Sequence, residues 1–323
     1  EETLKDGTRI LTVASGTQIQ TAIQSAQAGD VVVLEAGDYY LQSGSSLNPS
    51  GKDIVLRGTL DTDGSRLSHI YSDDAPAIYL ENSYESLEIE DLVFTGQLSP
   101  GSSYDGGAAI HFNNSRCVVR NCAFMNCVAD LGFGGAIRVD AGNPNGYPWI
   151  YDCEFENCIA ARGGAMYISS VQPSSIVLQI HDSYFINNTA LSNVSDTGGA
   201  IHSVVARLQV TDSVFVSNAI NLGGSTVGNS IYQSSGPVKV LRSSFCSQYS
   251  SEDFITHVGL FIEDQGFNCF TGSCTDSDGD FRPDDCDQCD GEDLDLDESG
   301  WADCREETLK DGTRILTVAS GTQ

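Results

Sequence analysis

The 323-residue sequence predicts an all-β fold, a parallel solenoid in which short strands stack coil upon coil. Two interleaved signals carry this. Phenylalanines recur at Phe94, Phe124, Phe155, Phe185, Phe215 and Phe245, at intervals of 30, 31, 30, 30 and 30 residues. Between them lie Gly-Gly pairs, each heading an Ala and an apolar residue, at Gly106, Gly134, Gly163 and Gly198, with a degraded Gly-Gly-Ser-Thr at Gly223. A unit of about 30 residues cannot bury a core alone and must stack on its neighbours. The third observation selects strands. Apolar Leu178 and Ile180 alternate with polar residues, and no helical period fits between the two signals.

The elements follow in chain order. Residues 1–30 read as a strand and a short capping helix. Ile19, Ala22, Ile23 and Ala26 have helical spacing, with Thr17 as N-cap and Gly29 as stop. Residues 31–268 read as the solenoid, with VVVLEAG, DIVLRG and AIYLEN as its early coils. Stacked at about 4.8 Å, the phenylalanines form an apolar spine. Each contributes roughly 1.5–3 kcal/mol. Three residues before each Phe stand Asp91, Asn121, Asp152, Asp182, Asp212 and Arg242. Asn and Asp suit tight bends, because they bond nearby backbone and tolerate left-handed conformations. The variable segments AGNPNGYPW and ALSNVSDT are expected to bulge sideways.

The stretch ASGTQIQTAIQSAQAGDVVVLEAGDYYL, followed by GKDIVLRG, resembles the opening of pectate-lyase-like right-handed parallel β-helices. The GGAI and F-x-N or F-x-x-N signals resemble the repeat of polymorphic outer-membrane proteins. They are carried by Phe124 with Asn126, Phe155 with Asn157, Phe185 with Asn187 and Asn188, and Phe215 with Asn218. The resemblance covers about residues 8 to 250. It implies a right-handed coil, a surface or extracellular location, and adhesive or structural work.

Composition changes near Cys269. Acidic residues number 45 against 16 basic ones, for a net charge of −29, which argues against nucleic acid and favours divalent cations. From Asp276 to Arg305, 13 of 30 residues are acidic. Asp276, Asp278, Asp280, Asp284 and Asp287 fall at positions 1, 3, 5, 9 and 12 of a calcium loop, with Phe281 where such loops carry Gly. A second run offers Asp293, Asp295, Asp297 and Asp303. Laced with cysteine, the two runs resemble thrombospondin type 3 repeats, in which ions and disulfides replace a core. Residues 269–305 are therefore expected to form a calcium-binding linker. Zinc at the lone C-x-x-C is disfavoured for want of a second pair.

Eleven cysteines suggest an oxidising compartment. Cys122 and Cys153 each stand two before their Phe, and Cys127 and Cys158 three after. Equivalent positions on adjacent coils lie within disulfide range, so links 122–153 and 127–158 are expected, with reduced buried columns as the alternative. Cys117 reads as a free core thiol. Cys246, Cys269, Cys274, Cys286, Cys289 and Cys304 form an even set for the C-terminal segment. Sequons at Asn113, Asn187 and Asn193 suit a glycosylated exterior.

Glu1–Gln18 recurs identically at Glu306–Gln323. The repeat reads as one period of a tandem protein, residues 306–323 opening the next unit, or as an artificial duplication. No apolar run reaches membrane-spanning length. Together these features predict a non-enzymatic repeat unit of an extracellular fibre, with adjacent copies as partners and calcium at the junctions. A glycan-binding adhesin, using aromatics such as Tyr104, Tyr147 and Trp149, is the alternative, and a polysaccharide lyase or hydrolase the third reading. The catalytic case rests on Asp152, Asp182 and Asp212, each better read as a turn residue. Arg138, Arg162 and Arg207 read as scattered, and His111 and His202 as turn or surface residues.

Overall fold

The computed structural model describes residues 2–4, 7–14, 19–84, 87–141, 148–170, 177–191, 197–204, 207–221, 226–228, 230–234 and 238–246. Beyond these it describes short pieces at 255–257, 262–264, 269–271, 274–275, 305–308 and 314–317. Three long sheets wrap the main apolar core as a right-handed parallel β-helix; a typical coil gives one strand each to sheets A and C and two to sheet B, such as 123–125 and 128–133. Sheet A runs from residues 2–3 and 9–13 through 88–90, 118–120, 149–151 and 177–181 to 262–264. Sheet B carries the phenylalanines, from 37–40 and 68–73 through 92–97, 123–125, 154–156 and 184–186 to 269–271. Sheet C comprises 78–81, 110–113, 137–141, 166–170, 201–204, 231–233 and 255–257.

The Phe spine sets the register. Phe94, Phe124, Phe155, Phe185, Phe215 and Phe245 are fully buried, and their rings stack face to face. Centroids of neighbouring rings lie 5.3, 4.7, 4.6, 4.7 and 4.6 Å apart. The strand pairing sets Ile70 opposite Phe94 at one end of the column and aligns the backbone of residue 270 with Phe245 at the other. The helix forms over Ile19–Ser25, burying Ile19 and Ile23 against the first coils.

The A-to-B corner is a single left-handed residue per coil, with φ of 61° at Asp91, 47° at Asn121, 52° at Asp152, 48° at Asp182, 51° at Asp212 and 43° at Arg242. This is the conformation that Asn and Asp accept at least cost. Side chains tie the column together. Asn121 Nδ2 donates to Asp91 Oδ1 at 2.8 Å, and Arg242 Nε donates to Asp212 Oδ1 at 2.6 Å. A second such corner holds Asn126, Asn157, Asn187 and Ser217.

The expected links 122–153 and 127–158 are not formed, since Cys117, Cys122, Cys127, Cys153 and Cys158 are all free and buried. Two polar columns explain this. Cys122 and Cys153 continue into Ser183, Ser213 and Ser243, whose hydroxyls cross-link successive coils at 3.2 Å. Ser183 Oγ donates to the carbonyl two residues back at 2.7 Å, and Cys153 Sγ does the same at 3.1 Å. Cys127 and Cys158 likewise continue into Asn188 and Asn218, and Cys158 N–H donates to Asn188 Oδ1 at 3.0 Å. The thiols take the place of small hydrogen-bonding side chains. Burial pushes the Cys153 thiol up to about 12, and Cys122 and Cys158 well up. Further along, Cys246 is bonded to Cys274, and Cys269 is also in a disulfide.

Residues 305–308 and 314–317 form an antiparallel hairpin pairing Glu307 with Ile315 and Thr308 with Arg314. The identical N-terminal sequence pairs Glu2 with Ile10 and Thr3 with Arg9, so both copies adopt one register.

Two outcomes follow. Phe155→Ala removes the centre of the spine and is expected to lower the unfolding free energy by about 3–5 kcal/mol, read by urea denaturation. In the folded protein the five coil thiols should resist iodoacetamide and alkylate only in denaturant, counted by intact mass.

Candidate functional site

The outer face of sheet C differs from the rest of the surface. The strands at 110–113, 137–141, 166–170 and 201–204 each follow a Gly-Gly pair. At Gly134 φ is +71° and an added Cβ would sit 2.1 Å from the Ile137 carbonyl oxygen, so no larger residue fits this turn. The strands then alternate. Ile110, Ile137, Met166 and Ile201 face the core, and the residue after each faces outward. That outer row is Tyr79, His111, Arg138, Tyr167, His202 and Tyr232, in register on successive coils. Two residues further on, a second row holds Glu81, Asn113, Asp140 and Ser169.

Arg138 is the hub. Its guanidinium meets Asp105 Oδ1 at 2.5 Å and Asp140 Oδ2 at 2.6 Å, and lies 5.5 Å from the Phe133 ring centre and 5.8 Å from that of Tyr167. His111 Nε2 meets Asp140 Oδ2 at 2.9 Å, while its Nδ1 is buried without a partner. Burial alone would push the Asp140 carboxyl up. Hydrogen bonds from His111 and Arg138 outweigh it and hold the group below its usual range, so Asp140 is ionised at neutral pH. Tyr167 stacks on His202 at 5.2 Å, and His202 on Tyr232 at 4.8 Å. Burial, with Arg162 nearby, pushes His202 down to about 3.

Beside this cluster lies an open depression of about 490 Å³ lined by Glu81, Asn82, Asn113, Asn114, Asp140, Ala141 and Ser169. Asn113 Nδ2 donates to the Tyr79 hydroxyl at 3.1 Å, and Asn114 Nδ2 to Asn82 Oδ1 at 2.7 Å. Asn114 Oδ1 is buried with no partner. The wall thus offers carboxylates, amides and a hydroxyl, which match the hydroxyl groups of a carbohydrate.

These placements correct several expectations. His111 and His202 are buried strand residues, neither turn nor surface residues. Arg138 and Arg162 are not scattered, since both approach the Phe133 ring. Asp105, Asp140, Glu81, Tyr79 and Tyr167 escaped the sequence reading. A signal for the outer row was available, because the residue after each Gly-Gly-Ala-apolar motif reads His, Arg, Tyr, His. Asp152, Asp182 and Asp212 stay a corner column away from the depression. Burial and the neighbouring Asp212 and Asp152 push the Asp182 carboxyl up. Asn113 lines the depression and Asn187 is exposed at a corner, whereas Asn193 lies outside the described residues. So do Asp276, Asp278, Asp280, Asp284, Asp287, Asp293, Asp295, Asp297, Asp303, Cys286, Cys289, Cys304 and Tyr147. Among the described residues no cluster suited to a metal ion occurs, and no helix is long and apolar enough to cross a membrane.

The family described as "Right handed beta helix region" matches residues 61–245. The chain belongs to the right-handed β-helix family. No curated protein sequence matches it. Among solved structures it is similar to the PL6 family alginate lyase AlyGC, at 15% identity and a TM-score of 0.50, covering 84% of this chain and 41% of that one. A Geobacillus virus E2 protein, ORF18, overlays at 14% identity and a TM-score of 0.36, over 76% of this chain and 50% of its own. The chain thus spans half or less of the length of either. The expectation of a non-enzymatic fibre unit, and its adhesin alternative, are overturned here. The β-helix fold is shared with a polysaccharide lyase, and a built polar cluster occupies the outer face of one sheet.

Unfolding at mildly acidic pH tests the His202 environment. The folded pKa is depressed below 6.5, so the unfolded chain binds the extra proton between about pH 6.5 and 3. His202 therefore costs stability as pH falls through that window. His202→Gln should flatten the fall of Tm between pH 7 and 4, and an unchanged slope would contradict the assigned burial.

Proposed function

We propose that this chain is a polysaccharide-degrading enzyme whose substrate lies in the depression along sheet C. The observation that carries this reading is the outward row Glu81–Asn113–Asp140 at the wall of that depression. Its two carboxylates stand two strand spacings apart, about 10 Å between backbones. Inverting glycosidases hold their carboxyl pair roughly 6.5–9.5 Å apart to admit a water. Asp140, kept ionised by Arg138 and His111, is the base that takes a proton from water. Glu81 is the acid that protonates the departing glycosidic oxygen. Asn82, Asn114 and Ser169 orient sugar hydroxyls. The net charge of −29 favours an uncharged glycan.

Elimination from a uronate-containing chain is the second reading, favoured by one feature. Arg138 lies beside the Tyr167 ring, whose half-buried phenol stays protonated and can donate to the departing oxygen while the Asp140 carboxylate takes the sugar-ring proton. The likeness in fold to an alginate lyase supports it by analogy only.

The test is turnover of xylan, β-glucan, polygalacturonate and alginate by the whole chain, with calcium and with a chelator. Hydrolysis yields new reducing ends without ultraviolet-absorbing unsaturated ends, and elimination yields both. Asp140→Asn and Glu81→Gln should each lower kcat by about a hundredfold or more, with the fold intact by circular dichroism. Wild-type turnover that survives both changes would move the chemistry elsewhere, and inactivity on every glycan would remove the enzyme reading.

A further inference from the structure

A second aromatic cluster lies on a different sheet. Residues 37–40 are the first strand of this part of sheet B and, among the described residues, pair only with 68–71. Asp38 and Tyr40 face outward, opposite His69 and Tyr71. The Tyr40 ring stacks on Tyr71 with centroids 4.6 Å apart and planes 11° apart, and Tyr71 stacks on His69 at 4.0 Å. Tyr40 is nonetheless 73% exposed, against 2% for its inward neighbour Tyr39. One face of its ring is covered by Tyr71, so the exposure belongs to the other face and the edge.

The surroundings are fixed. His69 Nε2 lies 3.0 Å from Thr95 Oγ1, and that hydroxyl donates to the Met125 carbonyl at 2.9 Å. His69 therefore donates through Nε2, which leaves Nδ1 as an acceptor. The Tyr71 hydroxyl bonds the Asp38 carboxylate. A flat apolar ring face is thus held rigidly beside a carboxylate. An isolated exposed tyrosine needs no explanation, but a pre-ordered stack with one open face is a recognition surface with little ordering entropy left to lose.

We infer that Tyr40, backed by Tyr71 and His69, is a stacking shelf for a neutral pyranose ring, with Asp38 accepting hydroxyl hydrogens at its edge. A sugar ring offers an apolar C–H face that continues the stack and hydroxyls that suit the carboxylate. Asp38 and the strongly acidic chain select against uronates and other anionic sugars. The shelf lies on sheet B, outside the Glu81–Asp140 row on sheet C. It rests on the reading above only in taking a polysaccharide as the ligand.

Affinity electrophoresis and calorimetry with cellohexaose, xylohexaose and an alginate hexamer test the shelf on the whole chain, in the Asp140→Asn background so that turnover cannot interfere. The neutral hexamers should bind and the alginate hexamer should not. Tyr40→Ala should weaken binding about tenfold and Tyr40→Trp should retain it, while circular dichroism stays unchanged. Absence of neutral-glycan binding, unchanged affinity in Tyr40→Ala, or preference for the alginate hexamer would each overturn the proposal. Retained shelf binding in a chain that cleaves no glycan would sink the catalytic reading alone.

Discussion

Stacking of equal coils at one strand spacing is the constraint on which the molecule depends. The space above and below a buried phenylalanine is best filled by another, because alanine or a polar residue there would leave a void in the column. Ring planes within 10° of each other show how closely the coils repeat. The same translation lines up every other position. The left-handed corners, the Ser and Cys column and the outward rows of sheet C all inherit their alignment from it. A polar residue on one coil thus meets its counterpart on the next at hydrogen-bonding or stacking distance, with no tertiary device beyond the repeat.

This explains what could be read from the sequence. The Phe and Gly-Gly periods identified coils, strands and corners, because each marks a backbone position that tolerates few alternatives. The capping helix was legible from Ile19 and Ile23. The thiol pairing was misread, because equivalence of position was taken as proximity for bonding. The continuing residues Ser183, Ser213, Asn188 and Asn218 show that these positions serve carbonyls and amides instead. The residues of the candidate site were missed for a different reason. Asp152, Asp182 and Asp212 drew notice by their regularity and read as turn residues, and they do stand at left-handed corners. His111, Arg138 and Tyr167 differ from coil to coil at their aligned position, so no repetition drew notice to them.

The charge balance is resolved locally. Arg138 would be costly to bury alone, but the carboxylates of Asp105 and Asp140 compensate it, and His111 uses the same Asp140 oxygen. One guanidinium thereby fixes two carboxylates and an imidazole contributed by three separate segments of the chain, and it lowers the proton affinity of Asp140. Removing it would release Asp105 and unbalance the cluster without touching the core beneath.

The one-residue corner between sheets A and B carries a consequence for how this chain can diverge. From Val119 to Phe124, Ile150 to Phe155, Ile180 to Phe185 and Val210 to Phe215 the distance is always five residues. From Phe to the next sheet C strand it varies, with 13 residues from Phe124 to Ile137, 11 from Phe155 to Met166 and 16 from Phe185 to Ile201. From residue 89 onward insertions and deletions thus fall at the borders of sheet C, whereas one earlier coil takes 14 residues from Leu56 to Ile70 at the A-to-B border. Over those later coils evolution can recut the rims of one trough while the remaining walls of the tube stay dimensionally frozen.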